Sequence, residues 1–466
     1  MPSKSLFTIV VDPEKMNPFF RGTAIENSSE PARLMMEKVF EKFKDIDNNF
    51  VEQFQTTGFD ARIFELYLFE YFSSSGFEVK RDFERPDFII SKDGVEVAIE
   101  ATTTNPDPNY KKDHKSIEKI LSLSDEDVER KENDEVPIRL GSSLFSKLKM
   151  RYWELEQCKN KPFVIAIEAF HEEVAFLFSD MPLAQYLYGL RHFPSWTEDG
   201  KLVVNQEEVT KHQVGNKLIP SNFFGQPDTE NISAILFTNT GTHAKFSRMG
   251  YQQGFHRGNI RIYRYGTWYD SNPNSATPLM KAYDMEEAPF YESWGQGLVV
   301  LHNPHALHPL SHDYFPDAAQ VYIDHNVLAA DLPPYHPYST MTEVMFQVDI
   351  PIDFPEKNIA AILKSEYDKL SIDKKSTVDL LFQEKQWFSD RNKIVVGTVL
   401  MDRSDEDWCY VIFGIKSDGK YRTLEIGERF FSSRSEATGA LIDTMDKICS
   451  SGKPVPTIWL YLFAVC

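Results

Sequence analysis

Cysteine is scarce: Cys158, Cys409, Cys449 and Cys466 are the four in 466 residues, and no two form a CxxC pair. That argues against a disulfide framework or a cysteine-based zinc site and fits a reducing compartment. Long apolar runs are missing as well. No stretch approaches the roughly 18–20 apolar residues of a membrane-spanning helix. The apolar run in MPSKSLFTIVVDPEKM is too short for a signal peptide, and TIWLYLFAV near the end is strand-sized. The expectation is a cytoplasmic protein with no membrane contact. Positive charge is in deficit, with 50 Lys and Arg against 70 Asp and Glu, a net −20. A general nucleic-acid coat protein, which neutralises many phosphates, is therefore not expected. An enzyme with one local basic groove is still allowed, because phosphate contacts depend on where charges cluster. Gly250, Gly254 and Gly258 match neither a dinucleotide fingerprint nor a phosphate-binding loop, which argues against ATP-dependent activity.

What the chain does have is apolar and aromatic material: 42% hydrophobic residues, including 35 Phe and 20 Tyr. Its length suggests two to four domains at about 100–200 residues each. Periodicity predicts helices over 30–56 and 59–74, the second amphipathic, with Asp60 as a cap and Gly76 just past its end. Three strands follow at 77–83, 86–91 and 95–103, the last two joined by a turn at Lys92-Asp93-Gly94. A helix is expected over 143–157 and a buried strand over 162–170. Further strands are expected at 232–239, 259–266, 297–303 and 319–324, and a helical stretch near 356–387. Proline-rich segments mark a boundary, giving an N-terminal helical extension (1–58), a main domain (59–340), a linker and helix (341–384), and a small α+β interaction or regulatory domain (385–466).

Three acids stand out in the order helix–strand–strand–strand–helix–strand. Glu65 lies on the first helix, Asp87 opens the second strand, and Glu100 is near the end of the third. Glu96, Ala98, Glu100 and Thr102 share one face of the third strand, while Val95, Val97, Ile99 and Ala101 share an apolar one. The hairpin can therefore bring Asp87 and Glu100 together. Converging carboxylates make a hard-oxygen site suited to Mg²⁺. Such an ion lowers the pKa of bound water and stabilises charge on a phosphate during hydrolysis.

These residues resemble the PD-(D/E)XK nuclease superfamily over 59–170. Pro86-Asp87 stands at the PD, Glu100-Ala101-Thr102 at the (D/E)XK, and Glu65 where many members carry a helical glutamate. Thr102 departs from the pattern. In the family a lysine there orients and activates the attacking water, and threonine has no charge to offer. Some members carry the lysine on the following helix, which here offers Lys147, with Lys149 and Arg151 beside it and Arg151 at i+4. The resemblance implies a restriction endonuclease-like α/β core, a mixed central sheet flanked by helices. It implies an endonuclease dependent on Mg²⁺ or Mn²⁺, with Glu65, Asp87, Glu100 and Lys147 catalytic and with Asp87 and Glu100 as metal ligands. Nucleic acid, DNA foremost, is the implied partner, and bacterial restriction or anti-phage defence the setting. The segments at 49–72 and 144–155 also look like a little-characterised group of bacterial proteins, which carries no known chemistry.

Residues 245–269 contain no acid. Arg248, Arg257, Arg261 and Arg264, interleaved with Tyr and Trp, could meet phosphates and stack bases, as could Arg151 on the helix. The plainer reading is a strand with Arg toward solvent and Tyr toward the core. His302, His305, His308 and His312 have ligand-like spacing, but Pro304 and Pro309 break any helix that would align them, so histidines packed among prolines are expected. Asp402, Asp405, Glu406 and Asp407 read as a solvated hairpin tip rather than a Ca²⁺ loop. The rival to a nuclease is a catalytically inactive protein on the same fold that binds nucleic acid or a protein partner. DNA and RNA are not distinguished, and a homodimer or a defence-complex partner at the C-terminal domain is left open.

Overall fold

The computed structural model describes residues 5–46, 48–106, 124–172, 175–256, 260–272 and 274–346, together with segments between 381 and 444. The chain divides into two units. The first comprises 1–24, 30–255 and 263–342; the second comprises 25–29, 256–262 and 343–466. The helices ahead of Phe59, expected as a separate extension, largely belong to the first unit, and the main division falls between Thr342 and Glu343.

Helices α1 (Pro18–Ile25), α2 (Glu30–Phe40) and α3 (Phe50–Gln55) lead into α4 (Phe59–Ser74). The single helix expected over 30–56 is thus broken between Phe40 and Phe50. The amphipathic pattern expected for α4 is also corrected: Ile63 through Phe72 are buried without a break, Glu65 and Glu70 included. A helix apolar on nearly every side belongs in the interior. Asp60 sits in its first turn and does not cap it. Gly76 (φ +81°) closes it, with Phe77 N–H bonded to Phe72 O and Gly76 N–H to Ser73 O, the 6→1 and 5→2 bonds of a Schellman ending.

Strands β1 (Glu78–Lys80), β2 (Phe88–Lys92) and β3 (Val95–Thr104) follow, antiparallel in sequence. Asp93 and Gly94 both have positive φ, so a two-residue turn of type I′ fixes the β2–β3 register. Next come α5 (Asp125–Arg130), one π turn (Lys131–Glu135), α6 (Val136–Lys149), β4 (Phe163–Ala169) and α7 (Met181–Tyr188). Two hairpins project from this region, β5 (Leu190–Trp196) with β6 (Leu202–Glu208), and β7 (Lys211–Val214) with β8 (Lys217–Pro220). Then follow β9 (Ala234–Thr238), α8 (His243–Gln252), β10 (Ile260–Trp268), β11 (Leu279–Asp284), β12 (Leu298–His302), β13 (Ala319–Asp324), β14 (Val327–Asp331) and β15 (Pro337–Phe346).

The fold is mixed α/β. Eight strands form a central sheet in the order β1-β2-β3-β4-β9-β12-β13-β14, with parallel and antiparallel pairs, and helices cover both faces. Alternation along each strand splits its side chains between two cores. Val97, Ile99, Phe88, Ile90, Val164 and Leu236 join the core under α2–α4 and α8. Ala98, Phe163, Ile165, Ile167 and Phe237 join the core under α6 and α7. The site therefore sits where one face of β3 turns from apolar to acidic.

The second unit contains an antiparallel sheet of β16 (Leu381–Phe382), β17 (Gln386–Asp390), β18 (Lys393–Asp402), β19 (Asp407–Lys416) and β20 (Tyr421–Ile426). The helix expected to 387 is corrected at its end, where β16 and β17 lie. Asp402 and Asp407 are register partners closing the β18–β19 hairpin. Residues 347–380, Asp405, Glu406 and the terminal strand expected at 457–465 lie outside the described residues. Among the described residues no helix is long and apolar enough to cross a membrane.

Candidate active site

The β2–β3 register sets the site. Phe88 pairs with Ile99, so Asp87, one residue ahead of β2, falls opposite Glu100. A hydrogen bond confirms the approach: Ala101 N–H donates to Asp87 Oδ2 at 2.8 Å. Glu100 points to the α6 face, as the alternation of β3 requires. There Lys147 Nζ, from the last turn of α6, donates to Glu100 Oε1 at 2.7 Å. Glu100 Oε2 is buried and has no hydrogen-bond partner. Thr102 shares that face two residues on, half-buried.

Glu65 comes from α4, held by two arginines. Arg62, one turn earlier, bonds Glu65 Oε1 and is braced by Gln53 Oε1. Arg81 Nη2 reaches Glu65 Oε2 at 3.4 Å, while its Nε donates to the Asp87 carbonyl at 3.3 Å and its Nη1 to the Lys44 carbonyl at 2.9 Å. The Arg81 guanidinium lies 3.7 Å from the Phe43 ring centroid. The segment before α4 thus helps build the site by supplying Phe43, Lys44 and Gln53.

The three acids feel one another. Burial raises the pKa of Glu65, and so does the Glu100 charge, against the pull of Arg62, Arg81 and Lys147. Asp87 is pushed well above the usual carboxylate range by burial and by Glu65 and Glu100, despite the Ala101 N–H and Lys147. Burial lowers Lys147, but the Glu100 charge and hydrogen bond outweigh it and the net shift is upward. Acids that repel each other in a desolvated place favour uptake of positive charge. No protein-family model, curated protein or solved structure matches the chain.

The donor set fits a hard divalent ion in one particular way. Mg²⁺ keeps several waters and takes one or two carboxylates. Asp87 and Glu100 are cross-strand neighbours; Glu100 Oε2 accepts no hydrogen bond, and the Tyr152 side chain interacts with the same carboxylate. Among the described residues no group of three or more His, Cys, Asp or Glu side chains is arranged to hold a metal. The fit is that of a partly hydrated ion on two carboxylates, with Glu65 engaged by arginine beside them.

Other expected contacts fall elsewhere. Arg151 was placed on the helix beside Lys147, but α6 ends at Lys149. Arg151 has φ +52° and is bonded to Glu154 and Asp228 at 2.7 and 2.9 Å. Arg248 and Arg264 are not on a solvent face. They are 3% and 0% exposed, and with Lys245 they surround Glu292. Arg264 points inward on β10 with Ile260 and Ile262, against the expected solvent face, while Arg261, Tyr263 and Tyr265 are half-buried on the other side. Gly250 lies in α8 and Gly254 just beyond it. Arg257 lies outside the described residues. His302 is buried with Nε2 at 2.8 Å from Gln320 Oε1, and His312 packs on it at 4.4 Å between ring centroids.

Sequence reasoning missed Arg62, Arg81 and Tyr152. Tyr152 follows α6 and interacts with Glu100, with Lys147 Nζ 5.6 Å from its ring centroid. Arg62 carried a signal, its i,i+3 spacing from Glu65. Arg81 carried none, because its partners come from three separate segments.

Proposed function

We propose that the chain is a metal-dependent nuclease of the PD-(D/E)XK type, hydrolysing phosphodiester bonds in nucleic acid, with DNA the first substrate to test. The observation that carries this reading is the 2.7 Å contact from Lys147 Nζ to Glu100 Oε1. It supplies positive charge on the face of β3 where Asp87 arrives and where Thr102 has none. The inactive-scaffold reading would have Lys147 turned to solvent, and the contact favours catalysis over it.

Asp87 and Glu100 would hold Mg²⁺ or Mn²⁺ through carboxylate oxygens. The ion, when bound, would lower the pKa of a water and take up charge on the scissile phosphate. Lys147 would orient that water or the phosphate through its ammonium, and Thr102 could donate one hydrogen bond. Glu65, fixed by Arg62 and Arg81, would accept a proton or a water hydrogen beside them. Tyr152 interacts with Glu100 and lies beside Lys147. A role in bacterial restriction or anti-phage defence belongs to this reading and rests on the resemblance alone.

The deciding experiment is incubation of purified protein with plasmid and with RNA, each with Mg²⁺, Mn²⁺ or EDTA. Cleavage with either metal and none in EDTA is the expected result. No cleavage of either polymer under all three conditions would return the chain to the scaffold reading.

A further inference from the structure

The cations close to the carboxylates are mostly engaged by protein groups. Arg62 and Arg81 hold Glu65, Lys147 holds Glu100, and Lys80 and Lys161 share Glu96 at 3.0 and 2.7 Å. Each is neutralised where it stands. A nuclease nevertheless needs cations free to meet the phosphates that flank the cut, because positioning on the backbone comes chiefly from such contacts.

Arg85 differs from these. It is exposed, it makes no ion pair with any described residue, and it lies two residues ahead of Asp87 in the segment that delivers that carboxylate. Its backbone is anchored, since Gln157 Nε2 donates to the Arg85 carbonyl. Gln157 follows Tyr152, and the Arg85 charge acts on Tyr152, the same ring that interacts with Glu100. Arg85, with no ion partner among the described residues, is therefore an exposed cation beside the acid cluster whose backbone carbonyl is held by Gln157.

We propose that Arg85 is a substrate-binding residue of this site, taking a phosphate that flanks the scissile one on a nucleic-acid strand. This rests on the nuclease reading above. The planar guanidinium suits two parallel hydrogen bonds to one phosphate. It also moves the phosphate contact from Arg151, Arg248 and Arg264, which are bonded to carboxylates, to a residue next to the PD pair.

The test is binding of a labelled duplex oligonucleotide and a labelled single strand in EDTA, where binding is read without cleavage, across a salt series. Arg85→Ala should weaken binding roughly tenfold at all sequences and flatten the salt dependence by about one counterion. Arg85→Lys should restore the slope while recovering only part of the affinity, because it keeps the charge and loses the fork. Lys149→Ala, which removes an equal charge from the exposed end of α6, should leave the slope unchanged. Arg85 is exposed, so the melting temperature should not move. Should wild type bind while Arg85→Ala keeps its affinity and slope, or while Lys149→Ala falls as far, the assignment of Arg85 is overturned and the nuclease reading stands. Failure of wild type to bind either oligonucleotide overturns the assignment of Arg85, while the nuclease reading is decided by the cleavage assay.

Discussion

Lys147 and Glu100 lie 47 residues apart in sequence and meet at 2.7 Å, the ammonium of α6 against the carboxylate of β3. Leu144 and Leu148 of the same helix pack in the core beneath β3 and β4, which fixes the rotation of α6 and aims Lys147 along the sheet. The strand itself carries threonine at 102, and the ammonium on this face comes from the helix.

Lys147→Ala should reduce metal-dependent cleavage about 10²-fold or more, the order seen when one preorganised charge-stabilising donor is removed. Metal affinity should change much less, since an ammonium is not a ligand. Adding Thr102→Lys should recover part of the rate by returning charge to the face shared with Glu100. A normal rate in Lys147→Ala would leave the helix lysine with no catalytic role.

Asp87→Ala and Glu100→Ala should each abolish metal-dependent cleavage while leaving the protein folded. Thermal unfolding gives an independent readout. An ion that binds only the folded state raises its stability with concentration, so wild type should melt higher as Mg²⁺ or Mn²⁺ is added. Asp87→Asn and Glu100→Gln should lose that rise. In EDTA, Asp87→Asn should be near neutral, because it removes a buried carboxylate that Glu65 and Glu100 repel and keeps an oxygen to accept from Ala101 N–H. A metal-dependent rise of wild-type size in both variants would remove these residues as ligands.

The local parts of this site were legible in the sequence. The period-2 pattern of β3 put Glu100 opposite an apolar face, the Asp93-Gly94 turn fixed the register that brings Asp87 to it, and the spacing of α4 gave its span. Parts that depend on distant segments were not. Arg248 and Arg264 leave the arginine face expected around β10 because Glu292, far along the chain, draws them and Lys245 inward, and no local period reports a buried counter-charge. The helix expected over 143–157 was misplaced because Val136-Pro137-Ile138 opens α6 early, with proline in its first turn. Arg81 joins Glu65, Asp87 and Lys44, a relationship that only the folded chain displays.

Arg81→Ala should destabilise the first unit by about 2–4 kcal/mol, as expected when a buried charged partner is removed and polar groups are left behind. It should also slow cleavage, since Glu65 and the Asp87 backbone lose their shared brace. Arg81→Lys should keep some stability but not the reach to all three oxygens. Urea unfolding of the three proteins checks the order wild type, Lys, Ala. An Ala variant as stable as wild type would mean the brace contributes nothing.

Glu292 gives the clearest dependence on pH. It is fully buried. Lys245 Nζ donates to its Oε1 at 2.7 Å, and Arg248 donates through Nε to Oε2 at 2.8 Å and through Nη2 to Oε1 at 2.9 Å. Burial alone would raise its pKa, but Arg248, Lys245 and Arg264 together hold it well below the usual carboxylate range. Its folded value therefore lies under the unfolded value of about 4.3. Its contribution is complete above that unfolded value and is lost as pH falls through the folded one. Glu292→Gln leaves the buried Arg248 and Arg264 charges facing a neutral amide, while Lys245, already lowered to about 7 by burial, loses the counter-charge that keeps its proton; the change should cost about 3–5 kcal/mol at pH 7. The gap between wild type and variant should then narrow in acid, because a protonated Glu292 resembles the amide. Urea unfolding of both proteins from pH 7 down to pH 3 measures the gap directly. A gap that stays constant across that range would mean that the fold does not hold the Glu292 pKa below its unfolded value.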